Sequence, residues 1–186
     1  MALEFTTSYL KDSLSLFRKY KQLAEDAMAQ VPDAQLFAVP GGAADTESNS
    51  IAVIVRHING NLRSRWTDFL TTDGEKPWRD RDAEFASVEQ TRGGLMQAWE
   101  EAWGCLFSAL EPLTDADLDK RITIRGEAHS VLQAINRQLT HYPYHVGQIV
   151  WLSKHLGSAD WKPLTVAKGK SADFNARVIA GELSQR

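Results

Sequence analysis

Apolar residues recur along this chain at intervals of three, four and seven, the spacing of amphipathic helices. From about Leu3 to Val31 the stripe is Tyr9, Leu16, Tyr20, Leu23, Ala27 and Val31, with Leu10, Leu14 and Phe17 beside it, and Pro32 ends it. A second helix is predicted from Ile51 to about Leu70, N-capped by Ser50 and burying Ile51, Val55, Ile58, Leu62, Trp66 and Phe69. The third runs from about Ala83 to Leu110 through Phe85, Val88, Leu95, Trp99, Ala102, Leu106 and Leu110, widened by Met96, Trp103 and Phe107. Gly93-Gly94 in its middle predicts a bend or a close helix contact, and Trp99 and Trp103 are expected in the core. The fourth starts after the N-cap Ser130 and reaches about Leu156 through Val131, Ile135, Leu139, Tyr142, Val146, Ile149 and Ser153, with Gly157 as its C′ residue.

The interruptions between these stripes have their own signals. Pro40-Gly41-Gly42 and Glu47-Ser48-Asn49-Ser50 make residues 32–50 a long connection, and Thr71 to Asp82 is charged and turn-rich. Arg121-Ile122-Thr123-Ile124-Arg125 alternates polar and apolar ahead of Gly126, which predicts a short strand or small hairpin. Beyond Ser158 the chain reads as a loop around Trp161-Lys162-Pro163, then a short helix from Ser171 to about Gly181. Four long helices with a long first crossover predict an all-α four-helix bundle, with the small strand or hairpin before the fourth helix, in a single domain over residues 1–186.

Composition narrows the partners. The chain has 186 residues, 43% hydrophobic and 24% charged, with no apolar run of membrane-spanning length and no basic-then-apolar leader at its N-terminus, so a cytoplasmic location is expected and no membrane partner. A net charge of −3 with scattered Lys and Arg argues against a nucleic-acid surface, and small molecules are the expected partners. The single cysteine, Cys105, excludes an internal disulfide or a thiolate metal cluster; beside Leu106 and Phe107 it reads as a buried, inert thiol.

The chemistry lies in the histidines. His141 and His145 are one turn apart on the fourth helix, on the shoulder of its buried stripe, and His57 holds the same shoulder position on the second. Three neutral imidazoles bind a divalent metal while leaving positions open, the arrangement of a catalytic site rather than a closed structural one. The competing reading is that the pair is coincidental and each histidine is satisfied separately at the core edge. Tyr142 stands where a zinc protease helix carries its glutamate base, so that mechanism is absent. His129, ahead of the N-cap, and His155, in the last turn, read as helix-terminus residues. No nucleophile elbow, P-loop or dinucleotide fingerprint is present.

Arg56-His57-Ile58-Asn59-Gly60-Asn61, the run Arg63 to Leu70, Asp73-Gly74-Glu75-Lys76-Pro77-Trp78 and His141-x-x-x-His145-Val146-Gly147-Gln148-Ile149 together resemble the DinB/YfiT-like superfamily, within it a bacterial branch without assigned function. The resemblance covers nearly the whole chain. It implies a damage-inducible-type bundle in up-down-down-up order, often a homodimer, with zinc, nickel or a similar ion on His57, His141 and His145. Characterised members of the superfamily include transferases and isomerases that use bacillithiol, mycothiol or glutathione. Pro143, between the two ligands, departs from the ordinary helix former expected there; it frees the Leu139 carbonyl and predicts a kink or a local bulge.

The leading expectation is therefore a metal-dependent enzyme of the thiol-dependent S-transferase or isomerase type, whose metal activates a thiol. The alternatives are a hydrolase using metal-activated water and a non-enzymatic metal-binding protein for stress response or sensing. Asn61 and Gln148 are placed to orient substrate or a metal-bound water. Arg65 is placed to meet an anionic substrate or to be solvated, and Trp78 and Arg79 to form a pocket rim or a dimer contact. An open substrate pocket would favour the enzyme, and a closed coordination sphere the binder.

Overall fold

Caps decide where the periodic stripes become helices. The computed structural model describes residues 5–42, 47–86, 91–157 and 160–184; Leu3 and Val88 of the predicted stripes lie outside them. Helix α1 spans Tyr9–Met28, its N-terminus held by Ser8, whose hydroxyl accepts from the Lys11 amide. It ends short of Val31 because Pro32 disfavours helical backbone in the residue before it. The following connection contains one short helix, α2 (Asp33–Leu36), which buries Leu36. Helix α3 (Ile51–Trp66) is capped by Ser50 as expected, and stops before Leu70 where Thr67 turns extended and Asp68 adopts a left-handed φ of 47°.

The largest departure from the sequence pattern is the start of the third long helix. It does not begin at Ala83: Asp82–Phe85 forms a separate 3-10 turn, and helix α4 spans Arg92–Leu110, capped by the Thr91 hydroxyl on the Gly94 amide. Gly93 and Gly94 therefore stand in the first turn rather than in the middle of the helix, where amides are free of intrahelical partners anyway. Trp99 and Trp103 are fully buried.

Strands β1 (Arg121–Ile124) and β2 (Glu127–Ser130) pair antiparallel with Ile124 opposite Glu127. The two residues between them, Arg125 and Gly126, have φ of 55° and 78°, the signature of a tight two-residue hairpin turn. Ser130 both ends β2 and caps helix α5 (Val131–Leu156), exchanging hydrogen bonds with Gln133 in a capping box. Helix α5 runs unbroken through Pro143. Gly157 follows it with an ordinary φ of −73°, so conformational freedom is not why glycine stands there; a Cβ would come within 2.6 Å of the Ser153 carbonyl oxygen. A last helix, α6, spans Ser171–Ile179.

The protein is thus mostly helical with a small antiparallel hairpin. Helix α1 packs along α5 and α3 along α4, while α3 also meets α5 and α1 also meets α4. Phe17, Trp103 and Tyr142, one from each of α1, α4 and α5, meet at the centre with ring centroids 5.5–6.4 Å apart. The Tyr142 hydroxyl accepts from the Trp66 indole and donates to the Asn61 side-chain oxygen, both at 3.1 Å, tying α5 to α3 inside the core. This fixes the rotation of α5. Turning the histidines inward would expose Tyr142, Val146 and Ile149, all fully buried, at about 1.5–3 kcal/mol each. Among the described residues no helix is long and apolar enough to cross a membrane.

Candidate metal centre

With Tyr142 and Val146 in the core, the residues just before them, His141 and His145, face sideways toward α3. There His57 Nε2 lies 3.3 Å from His141 Nε2, and His145 Nε2 lies 3.2 Å from the same atom. All three donor nitrogens fall within 4.8 Å of one another. Pro143 does not splay the pair.

The opposite ring nitrogens explain why these three point the same way. His57 Nδ1 is 2.9 Å from Glu84 Oε2, and a carboxylate only accepts, so Nδ1 carries the proton and Nε2 presents a lone pair. His145 Nδ1 is held likewise by the Gln148 side-chain oxygen at 2.7 Å. His141 Nε2 can donate to at most one of these two lone pairs, which leaves the cluster short of protons. Its own Nδ1 is buried without a hydrogen-bond partner. Burial first, then the neighbouring His145, His57, Arg65 and Arg79, pushes the His141 imidazole down to about 3, and burial also lowers His145. Protonation is therefore disfavoured at neutral pH, and a divalent cation is the group that three converging lone pairs accept. The two spacings to His141 Nε2 fit: nitrogens about 2.0–2.1 Å from a tetrahedral ion stand roughly 3.4 Å apart.

Glu84 is the residue that sequence reasoning missed. Burial pushes its carboxyl up, but hydrogen bonds from His57 and from Arg79 outweigh this and hold it below the usual carboxylate range. Arg79 grips it with two bonds, Nε to Oε1 at 2.7 Å and Nη2 to Oε2 at 3.0 Å. Such a carboxylate fixes the ring and raises its basicity toward a metal. The only hint in the sequence was Gly60 in mid-helix: a Cβ there would lie 2.0 Å from Glu84 Oε1.

The other nominated residues fall around this centre. Asn61 is buried, holds Tyr142 and lines the cavity beside the histidines. Gln148 holds His145 and lines a second cleft with Tyr144 and Trp151. Arg65 is not solvated but buried; it pairs with Glu75 at 3.1 Å and donates to the Gly74 carbonyl. Arg79 is at the cavity, whereas Trp78 is exposed under the Arg63 guanidinium. Cys105 is half-buried in a cleft lined by Trp66, Phe69 and Ser108, not fully buried. His129 bonds the Glu127 carbonyl in β2, and His155 stacks on Trp151 in the last turn of α5.

The cavity over the histidines has a volume of about 470 Å³ and is reached by His57 and His141. Its wall is polar and, among the described residues, contains no carboxylate. The Asp73 side chain shapes its rim by accepting from the amides of Arg125 and Gly126, both at 2.8 Å, which docks the charged loop on the hairpin turn.

A family model described as a protein of unknown function (DUF1572) matches residues 4–170. Neither the curated proteins nor the solved structures contain a match.

Proposed function

The chain belongs to the DUF1572 family, and we propose that it is a divalent-metal enzyme acting on a small molecule, with the ion held by His57, His141 and His145. The observation that carries this reading is the convergence of three Nε2 atoms beside a cavity of about 470 Å³, with no fourth His, Cys, Asp or Glu grouped with them among the described residues. Three protein ligands and an adjoining space are the pattern of a catalytic site. A storage or sensing protein would close the coordination sphere.

Zinc or nickel suits an all-imidazole set. Bound there, the ion would lower the pKa of a thiol or water in its open position. The chain's own residues do the rest: Glu84 and Gln148 keep Nε2 of their histidines unprotonated, Arg79 keeps Glu84 ionised, and Tyr142 locks the helix rotation. We assign thiol transfer or isomerisation rather than hydrolysis on the resemblance to the DinB/YfiT-like superfamily, whose characterised members include thiol-dependent transferases and isomerases. The mutual packing of α1, α3, α4 and α5 supports a four-helix bundle; the up-down-down-up order, the single cytoplasmic domain and the homodimer are proposed on the resemblance to the DinB/YfiT-like superfamily.

The test is spectroscopic. Adding glutathione, bacillithiol or mycothiol to nickel-loaded protein should produce thiolate-to-metal charge-transfer absorption with at least one of them. No new absorption with any of the three refutes the thiol assignment.

A further inference from the structure

The cavity wall carries five of the chain's twelve arginines, Arg65, Arg79, Arg81, Arg125 and Arg137, and none of its nine lysines. In a protein of net charge −3 this is a strong local concentration of one sign. Among the described residues two carboxylates pair with its guanidinium groups, Glu75, shared by Arg65 and Arg125, and Glu84, taken by Arg79, while Asp73 accepts from backbone amides at the rim. Five guanidinium charges against these three carboxylates leave two uncompensated. Arg81 lies over the Phe85 ring, and neither it nor Arg137 has an acidic partner among the described residues. Exposed arginines commonly escape such a cluster into water, but here two of the five are anchored and buried. The Arg65 and Arg79 side chains are 4% and 2% exposed.

One buried donor points to an anionic ligand besides the net charge. Arg65, on the cavity wall, has its Nε buried and unpartnered. Buried polar atoms in a native fold normally find partners, so this N–H marks a place where an acceptor oxygen of a bound molecule completes the hydrogen bonding. Arginine rather than lysine implies planar, forked recognition of carboxylate or phosphate oxygens.

From this we infer that the cavity binds a small polyanion, a molecule with at least two carboxylate or phosphate groups, and holds it beside the three histidines. This names the substrate class of the proposed centre. It rests on that reading for its chemistry but not for its binding.

The experiment is calorimetric titration of tricarballylate and of inorganic phosphate into chelator-treated, metal-free protein, with glycerol as the neutral control. The wild type should bind tricarballylate, more weakly as sodium chloride is raised, and should ignore glycerol. Inorganic phosphate, with a single group, should bind more weakly, and binding as tight as that of tricarballylate would overturn the requirement for two groups. Arg81→Ala with Arg137→Ala, both at exposed side chains, should weaken the anion about tenfold or more while leaving metal content unchanged. No anion binding by the wild type, or undiminished binding by the double variant, overturns the inference. Anion binding by a protein that takes up neither zinc nor nickel when either is added back would refute the metal reading and leave this one standing.

Discussion

Gly60 and Glu84 are in van der Waals contact that no side chain could replace: a Cβ on Gly60 would sit 2.0 Å from Glu84 Oε1. A glycine in mid-helix costs about 1 kcal/mol relative to alanine. Here the vacancy admits the carboxylate that aims His57. Gly60→Ala should therefore raise helix propensity yet weaken metal binding about 10–100-fold, the usual cost of losing an orienting partner. Competition with a chromophoric chelator measures it; unchanged affinity would mean that Glu84 does not support the site.

Arg79 and Glu84 form a buried pair, with side chains 2% and 9% exposed. Arg79→Met leaves the carboxylate with His57 alone. Breaking such a pair costs about 3–5 kcal/mol, so the urea midpoint should fall clearly, and the Glu84 carboxyl should titrate higher than in the wild type by carbon NMR. A Glu84 titration that stays in place would show that Arg79 is not what holds it ionised.

The metal-free protein should lose stability on mild acidification. His141 titrates at about 3 in the fold against 6.5 as an ordinary imidazole, and His145 is shifted the same way. Between those values the unfolded chain binds protons that the native one does not, so stability is full above pH 6.5 and declines as pH falls toward 3. The carboxylates that the fold depresses begin to matter only below about 4.5, which leaves the window from 6.5 to 4.5 to the histidines. Urea midpoints across that window should fall in the wild type and fall less in His141→Gln, where His145 alone remains shifted. A flat wild-type profile contradicts the assignment.

Tyr142→Phe removes a hydroxyl that serves Trp66 and Asn61 at once. Two buried groups are left unsatisfied, at about 1–3 kcal/mol each. The variant should be less stable in urea but keep its metal, because the helix rotation is also set by Val146 and Ile149. Loss of metal would show that the hydroxyl, not the packing, positions the histidines.

The sequence was most informative where a local rule acts alone. Ser50 and Ser130 cap helices as expected, the alternation at Arg121–Arg125 forms the hairpin, and the shoulder placement of His57, His141 and His145 brings them together. It misled where a non-local contact competes with periodicity. Phe85 and Val88 extend the stripe of α4 backwards, yet the turn at Asp82–Phe85 is held away from that helix by Glu84 reaching α3 and by Arg56 donating to the Ala83 carbonyl. The arginine cavity was equally invisible, because its members come from α3, the charged loop, the hairpin turn and α5 and converge only in the fold. Pro143 was legible as a risk but not as harmless, since whether a freed carbonyl kinks a helix depends on what packs around it.

The proposed function rests on one divalent ion held by His57, His141 and His145. Elemental analysis of protein purified without a histidine tag tests it directly, on the wild type and on His57→Ala and His145→Ala. The wild type should carry about one zinc or nickel ion per chain, the number that a single three-ligand site holds, and both variants should lose it. Metal retained at the wild-type ratio in both variants, or none bound by the wild type after incubation with either ion, would contradict it.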